Sequence, residues 1–481
     1  MTRIIDCAHV ITDAHAPAQA ARSIAIDDGR ISAVSAAPGA VSPLLAMPAL
    51  VNAHDHGRAI RTSSIGAIGK PLEAWLHYLA LFPSVDPYAA AVVSLSRSAL
   101  GGVGTVMMHY TRTQGFTDLP TEVKEVARAA SDVGVRVGFA VSMKDRHPLV
   151  YGPSEPILAA LPESARIEIE KKFLRQPLSP ADNIALADAV ADAAASPDFD
   201  VQYGPNGPQW CSDALLEAVA EASQRTGRRV HMHLLETRYQ RGFLDQAYPD
   251  GVVKHLDRIG LLSPRLTLAH CVWTRPDELE LLAERGVTLA VNHSSNLRLR
   301  SGIASLPLML EKGCRVALGI DALAFEEDDD ALRELRLAHL LHAGTGFKVA
   351  VSRGQMLKIA FANGRFAVTN VDDGGVIKPG APADLLLLDW AAIDDDRLRD
   401  DLDPIELLLG RATAAHVKEL IVAGRTVVKD GKVLGADFPG ARTEVLAAMR
   451  AGMKAGAPLA AAMPALDRAM AQHYEPNAPC C

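Results

Sequence analysis

The chain has 481 residues, 49% of them hydrophobic and 22% charged, which is the composition of a globular protein with more than one small core and excludes a disordered one. A net charge of −8 without a long basic stripe argues against nucleic acid or anionic lipid as a partner and favours a small soluble substrate. Six scattered cysteines make no disulfide framework, and no signal-like apolar region or run of about 18 apolar residues occurs, so a cytoplasmic location is expected.

The N-terminal stretch reads as short strands. Ile4-Ile5, Ser23-Ile24-Ala25-Ile26 and Ile31-Ser32-Ala33-Val34 flank turn residues such as Asp28-Gly29. Eight strand-like runs then alternate with helical periodicity, at 50–56, 103–110, 135–143, 200–205, 230–236, 266–272, 287–296 and 316–321. A helix expected after the fourth run starts at an N-cap, Ser212, and stops at Gly227. Eight strands with intervening helices predict an α/β (β/α)8 TIM-type barrel over residues 49–374.

Residues 375–440 return to β-rich runs separated by Gly and Asp-Gly turns. Together with residues 1–48 they are expected to form one small β-sandwich domain from both chain ends. The Ala- and Met-rich segment 441–481 reads as one or two helices packing on the barrel, with Cys480-Cys481 as an inert tail.

Polar groups stand where the barrel strands end, the rim on which such barrels carry their active sites. The first run ends in His54-Asp55-His56, and strand alternation puts both histidines on one side with Asp55 on the other. The fifth gives His231, His233 and Glu236, the sixth His270, the seventh His293 and the eighth Asp321. Burying so many polar groups unpaired costs several kcal/mol each. A divalent cation gives them a use: three neutral imidazoles and one carboxylate suit zinc or iron with a position open for water. Such a cation lowers the pKa of its water towards ~7 and so produces a nucleophile. Glu236, just past its strand, is placed to deliver a proton, and His270 and Asp321 to orient and deprotonate the water.

These residues resemble the amidohydrolase superfamily, in its cytosine deaminase and chlorohydrolase branch. MPALVNAHDH, HMHLLET and NHSSNLRLRSGIA are similar to that branch's signatures for strands one, five and seven. GID with DALRELRLA resembles the strand-eight segment, and ANGR and GVIKPGAPADLLLLD the return into the small sheet domain. The resemblance implies His54, His56, His233 and Asp321 as metal ligands, Glu236 as proton shuttle, and His270 and Asp321 as the remaining catalytic groups. His231 is then a structural companion. The fourth strand, DVQYGPNGP, lacks the lysine or glutamate of dinuclear relatives, so one divalent ion is implied, zinc first, with iron or manganese as alternatives. A homodimer is the family's usual state.

Where many relatives place a substrate-contacting histidine after strand four, this chain has Asn206. An amide donates and accepts but is no acid or base near pH 7, which weighs against the familiar adenosine-type substrates. His109 and His293 are candidate substrate contacts, with a hydrogen-bonded wall as the other reading. Arg58 and Arg61 suit a substrate carbonyl or carboxylate, a rim salt bridge being the alternative for Arg61. Trp75 resembles an aromatic that stacks on the substrate, or else is core. The acidic run Glu326–Asp330 reads as a solvated helix cap. The expected activity is hydrolytic deamination of an amino-substituted purine, pterin, pyrimidine or triazine. The alternatives are hydrolysis of an amide, urea or carbamate, or of another leaving group on a heterocycle. A non-catalytic scaffold is opposed by the competent residue at each of the six mechanistic positions.

Overall fold

The computed structural model describes residues 2–147, 149–322, 326–399 and 401–475, so Cys480-Cys481 lie outside the described residues. Four strands precede the barrel: β1 (Arg3–Val10), β2 (Gln19–Asp27), β3 (Arg30–Ala36) and β4 (Ser42–Pro48). The barrel strands are β5 (Leu50–Asp55), β6 (Val103–Tyr110), β7 (Arg136–Met143), β8 (Phe199–Pro205), β9 (Val230–Leu234), β10 (Leu266–His270), β11 (Thr288–Val291) and β12 (Arg315–Leu318). A short hairpin, β13 (Gly344–Thr345) and β14 (Lys348–Val349), follows. The chain then returns through β15 (Leu385–Asp389), β16 (Val417–Val422), β17 (Arg425–Lys429) and β18 (Lys432–Val433).

Strands β5 to β12 are hydrogen-bonded in sequence order, each parallel to the next. Their near-continuous apolar runs follow from that, because both faces of a parallel sheet are covered. All eight residues of β6 are buried. The seam between β12 and β5 is bridged just past β12, where Ile320 and Asp321 N–H donate to the His54 carbonyl at 3.2 and 2.8 Å. Ile320 N–H lies 2.9 Å from Asn52 Oδ1 as well. Gly319 permits this approach, since a Cβ there would meet Asn292 Oδ1 at 2.0 Å and His54 Cβ at 3.0 Å. Closing the barrel therefore also sets Asp321 beside His54.

The two chain ends build a separate eight-stranded sheet of order β18-β17-β16-β15-β4-β1-β2-β3, joined where β4 pairs antiparallel with β15 and parallel with β1. One set of side chains, including Ile5, Ile24, Ile31 and Leu385, fills its own core. The alternate set, Leu45, Met47, Leu386 and Leu420 among it, joins the barrel core. Period-two alternation thus supplies both contacts.

Ser212 caps its helix by accepting from Leu215 N–H, and Gly227 ends it at φ 74°. Two further helices follow β18. Phe438–Gly452 packs Val445 and Met449 on Ala89 and Val93, and Ala457–Tyr474 packs Leu466 and Met470 on Leu149, Ile157 and Ile169. The latter residues belong to the long excursion between β7 and β8, whose Tyr151 N–H donates to Tyr474 Oη at 3.0 Å. Among the described residues no helix is long and apolar enough to cross a membrane.

The acidic run departs from a simple solvated cap. Asp330 does cap helix Ala331–His342, but Glu327 is buried, 3.0 Å from Arg298, and accepts from Thr62 Oγ1 and Ser63 N–H at 2.9 and 3.0 Å. The run faces the segment after β5, so its carboxylates are drawn inward by donors that its own sequence does not reveal.

Candidate metal centre

The ends of β5, β9, β10 and β12 converge. His54 Nε2 and His56 Nε2 lie 3.4 and 3.2 Å from Asp321 Oδ1, and His233 Nε2 lies 3.4 Å from His56 Nε2. His270 Nε2 sits 3.6 Å from Glu236 Oε2 and 4.0 Å from Asp321 Oδ2. Donor atoms of His54, His56 and Asp321, of His54, His233 and His270, and of Glu236, His270 and Asp321 form three groups, within each of which the atoms lie within 4.8 Å of one another.

What orients the rings is a set of bonds on their far nitrogens. The backbone carbonyls of His109 and Asn206 accept from His56 Nδ1 at 2.9 Å and His233 Nδ1 at 2.8 Å. A carbonyl can only accept, so both rings carry hydrogen on Nδ1 and present a lone pair at Nε2. His54 Nδ1 meets His231 Nε2 at 2.8 Å, and its own Nε2 is buried with no hydrogen-bond partner despite the 3.4 Å approach of Asp321. His270 Nδ1 lies 2.9 Å from Asn296 Oδ1. Asp55 turns away, its Oδ1 accepting from His56 and Gly57 N–H and its Oδ2 from Ala322 N–H. Leu235, His270 and Asp321 adopt left-handed φ of 50°, 74° and 58° at their strand ends. That conformation costs a residue with a side chain about 1–2 kcal/mol, and here it turns each following segment across the barrel mouth.

Electrostatics agree with the geometry. Burial pushes His54 down to about 3 and His233 well below the usual imidazole range, so both rings are neutral. Burial opposes ionisation of Asp321 as well, yet the His54 and His56 imidazoles beside it hold its carboxyl well below the usual carboxylate range. Glu236 moves the other way, raised well above that range by burial and then by the charges of Asp321 and Glu73. Two carboxyls at one mouth therefore differ in protonation. The donor set fits a divalent cation: bare imidazole nitrogens and one ionised carboxylate, with a buried, orphaned His54 Nε2 among them.

Above this cluster lies a cavity of about 810 Å³, a size suited to a small molecule. Arg58, Trp75, Asn206, His233, Glu236, His270 and Asp321 line it. Trp75 is buried, donates from Nε1 to Ala67 O at 3.1 Å and carries the Arg58 guanidinium 4.9 Å above its ring. Asn206 Oδ1 accepts from Ser142 Oγ at 2.7 Å.

Two expected substrate contacts are not among the lining residues. His109 lies within the barrel, its Nε2 3.1 Å from Gly204 O and its ring 4.9 Å from that of His233. His293 follows β11 at the start of a helix, His293–Arg298, and packs on His342 at 5.1 Å. The strand ends at Val291, two residues before the histidine, so the helical turn carries His293 away from the mouth. Arg61 donates from Nε to Glu327 O at 3.1 Å and is held at the rim.

Several supports of these groups were not legible in the sequence. Ser295 Oγ donates to Asp321 Oδ2 at 2.5 Å, and Gln240 Oε1 accepts from Glu236 N–H at 2.6 Å. Ser295 and Asn296 both stand in NHSSN, where polar residues directly after a strand were the available signal.

A parallel eight-stranded barrel with imidazoles and carboxylates gathered at one mouth is the arrangement of a metal-dependent hydrolase. Residues 45–433 match the amidohydrolase family, and the chain belongs to it. Its relatives include 5'-deoxyadenosine deaminase of Methanothermobacter thermautotrophicus, 29% identical over 420 residues that cover 85% of this chain and 90% of the relative. The 5-methylthioadenosine/S-adenosylhomocysteine deaminase of Thermococcus sibiricus is 31% identical over 327 residues, 68% of this chain and 70% of the relative. The solved structure of a zinc-bound adenosine deaminase from Xanthomonas campestris shares the fold with TM-score 0.76 and 21% identity, over 94% of this chain and 98% of that one. Atrazine chlorohydrolase from Arthrobacter aurescens, complexed with zinc, gives 0.76 and 22% over 93% and 99%.

Proposed function

We propose that the chain is a hydrolytic deaminase of an amino-substituted nitrogen heterocycle. In this reading His54, His56, His233 and Asp321 hold a single divalent cation, zinc, as in the solved neighbours named with zinc. Bound there, the cation supplies an acidified water as nucleophile and polarises the atom under attack.

The chain's own residues do the rest. Ionised Asp321, steadied by Ser295, accepts the proton that the water loses. His270, held by Asn296, orients that water. Glu236 enters protonated and delivers its proton to the ring nitrogen beside the amino-bearing carbon. Left as a carboxylate, it takes the second proton of the added water and hands it to the amine, which leaves as ammonia while the ring keeps a carbonyl, and the proton held by Asp321 returns to Glu236. Trp75 and Asn206 bound the ring.

One observation carries the reading: a buried carboxyl raised well above its usual range, 3.6 Å from His270 Nε2, at a cavity that also holds an ionised Asp321. A proton donor and a proton acceptor of the same residue class are what addition of water and loss of ammonia require. The relatives named as deaminases of adenosine-type compounds support the same reaction and place aminopurine nucleosides in the test. That test is ammonia release by zinc-loaded protein over aminopurines, pterins, pyrimidines and triazines, with Glu236→Gln as control. Release from one class, lost in the variant, is expected. No ammonia from any class at one equivalent of bound metal overturns the reading.

A further inference from the structure

The cavity is far more basic than the chain around it. Arg58, Arg112, Lys144, Arg146, Lys172 and Arg175 line it, against two carboxylates among the described residues, Glu236 and Asp321. The chain as a whole carries −8, so this is a local arrangement and not a basic surface.

The cations come from one side. Arg58 follows β5, Arg112 follows β6, Lys144 and Arg146 follow β7, and Lys172 and Arg175 stand at the end of helix Glu163–Phe173 and just beyond it, within the excursion after β7. Glu236 comes from just past the end of β9, on the far side of the mouth, and Asp321 from just past β12, beside β5 at the seam. Because β5, β6 and β7 are neighbours in the barrel, the positive groups form one wall of the cavity.

They also lack direct ion-pair partners, although Asp321 and Asp55 act on Arg58 and Glu122 on Arg112 at longer range. Arginines elsewhere pair with carboxylates, Arg128 with Glu125 and Arg285 with Asp257, but among the described residues none of the six joins an ion pair. Arg112 is held by neutral acceptors, the carbonyls of Phe82 and Pro83 at 2.6 and 2.8 Å and Gln114 Oε1 at 3.1 Å. Arg58 lies over Trp75 and has a buried Nη1 with no hydrogen-bond partner. Lys172 is pushed down by burial and then by repulsion from Arg175 and Arg112. Gathering like charges in a cleft is unfavourable in the free protein and strongly focuses an incoming anion.

We propose that the substrate carries a doubly charged oxyanion arm, a phosphate monoester or a pair of carboxylates, that seats on this cationic wall while its heterocycle faces Glu236. A lone carboxylate offers two oxygens, enough for one guanidinium fork, whereas six cations can engage the three or more oxygens of a dianion. The inference rests on the deaminase reading only for the identity of the heterocycle; the arm follows from the wall itself.

Binding is measured apart from turnover, by calorimetry on zinc-loaded Glu236→Gln protein. Each aminopurine, pterin, pyrimidine and triazine is presented in neutral form, with a phosphate ester and with a dicarboxylate arm. At least one anionic form is expected to bind about tenfold or more tighter than its neutral parent, the scale of one charge-assisted contact. The better of the two arms identifies the source of the charge. Lys172→Ala and Arg175→Ala, at exposed positions, are expected to remove about tenfold of that preference each, and added salt to weaken only the anionic form. Arg128→Ala, paired on an outer helix, is expected to keep it. Equal or tighter binding of every neutral form, or a preference that survives both substitutions, overturns the proposal. Anion preference without ammonia from the unsubstituted protein would keep the arm and overturn the deaminase, and ammonia without preference would do the reverse.

Discussion

The Nε2 atoms of His56 and His233 face each other at 3.4 Å while each ring's Nδ1 is tied to a backbone carbonyl. Two lone pairs at that distance repel, and a cation between them turns the repulsion into two bonds. Metal is therefore expected to stabilise the folded chain. Saturating zinc at a thousandfold over its dissociation constant corresponds to about 4 kcal/mol. Thermal unfolding with zinc and with a chelator checks this, and His233→Ala should abolish most of the difference. A melting temperature indifferent to zinc would remove the metal site.

The residues behind the ligands are expected to matter nearly as much as the ligands. Ser295→Ala takes the hydroxyl from Asp321 Oδ2, and Asn296→Ala takes the acceptor from His270 Nδ1. Each should lower kcat/KM or zinc affinity by about 10–100-fold while leaving the barrel folded. Steady-state kinetics with a metal titration separates the two effects. Wild-type values in both variants would show that the rings are oriented by packing alone.

How far the site was legible follows from where each residue stands. His54 and His56, at and just past the end of β5, and His231 and His233, on β9, are each two apart, so their shared face was written in the alternation. The eight barrel strands were readable from apolar runs, five of which carry polar groups near their ends, and the outer sheet from Asp-Gly turns at both ends. His293 misled because the strand-like run 287–296 extends through the histidine although the ladder stops at Val291. The cationic wall as a whole was not legible. Lys172 and Arg175 reach the cavity from an excursion against which helix Ala457–Tyr474, nearly three hundred residues later, packs. Local periodicity holds no record of such a contact. The pairing of Glu327 with Arg298 and Thr62 escaped for the same reason.

Glu236 fixes the alkaline side of the activity profile. A general acid must be protonated when the step begins, and burial with the charges of Asp321 and Glu73 raises this carboxyl well above its usual range. Its protonated fraction falls only as pH rises through that raised value, so kcat/KM is expected to hold across the ordinary carboxylate range and decline above it. Glu236→Gln should lose about 10²–10⁴ in rate, the usual worth of a positioned acid or base, and lose that limb of the profile. A variant that keeps both the rate and the limb would assign the proton to another group.

Glu334 gives a pH dependence of stability that is separable from the metal. It lies in helix Ala331–His342, where its Oε1 accepts from Ser294 N–H at 3.0 Å and so braces the helix that carries Ser295 and Asn296. His293 Nδ1 is 3.9 Å away, but burial and the neighbouring His342 push that ring down to about 3, so it is neutral and forms no ion pair with the carboxylate. Burial then raises Glu334 from 4.5 to about 7. Below the lower value the carboxyl is protonated in the folded and unfolded chains alike. Between the two values only the unfolded chain releases the proton, so stability falls as pH rises, and above the upper value a loss of about 3 kcal/mol is complete. Glu334→Gln keeps an acceptor for Ser294 and cannot ionise. Urea unfolding should therefore find the variant close to wild type at pH 5 and more stable by about that amount at pH 8. Because both proteins share every other titrating group, the difference between their curves isolates this one. Curves that stay parallel from pH 5 to 8 would mean that Glu334 ionises as readily in the folded chain as in the unfolded one.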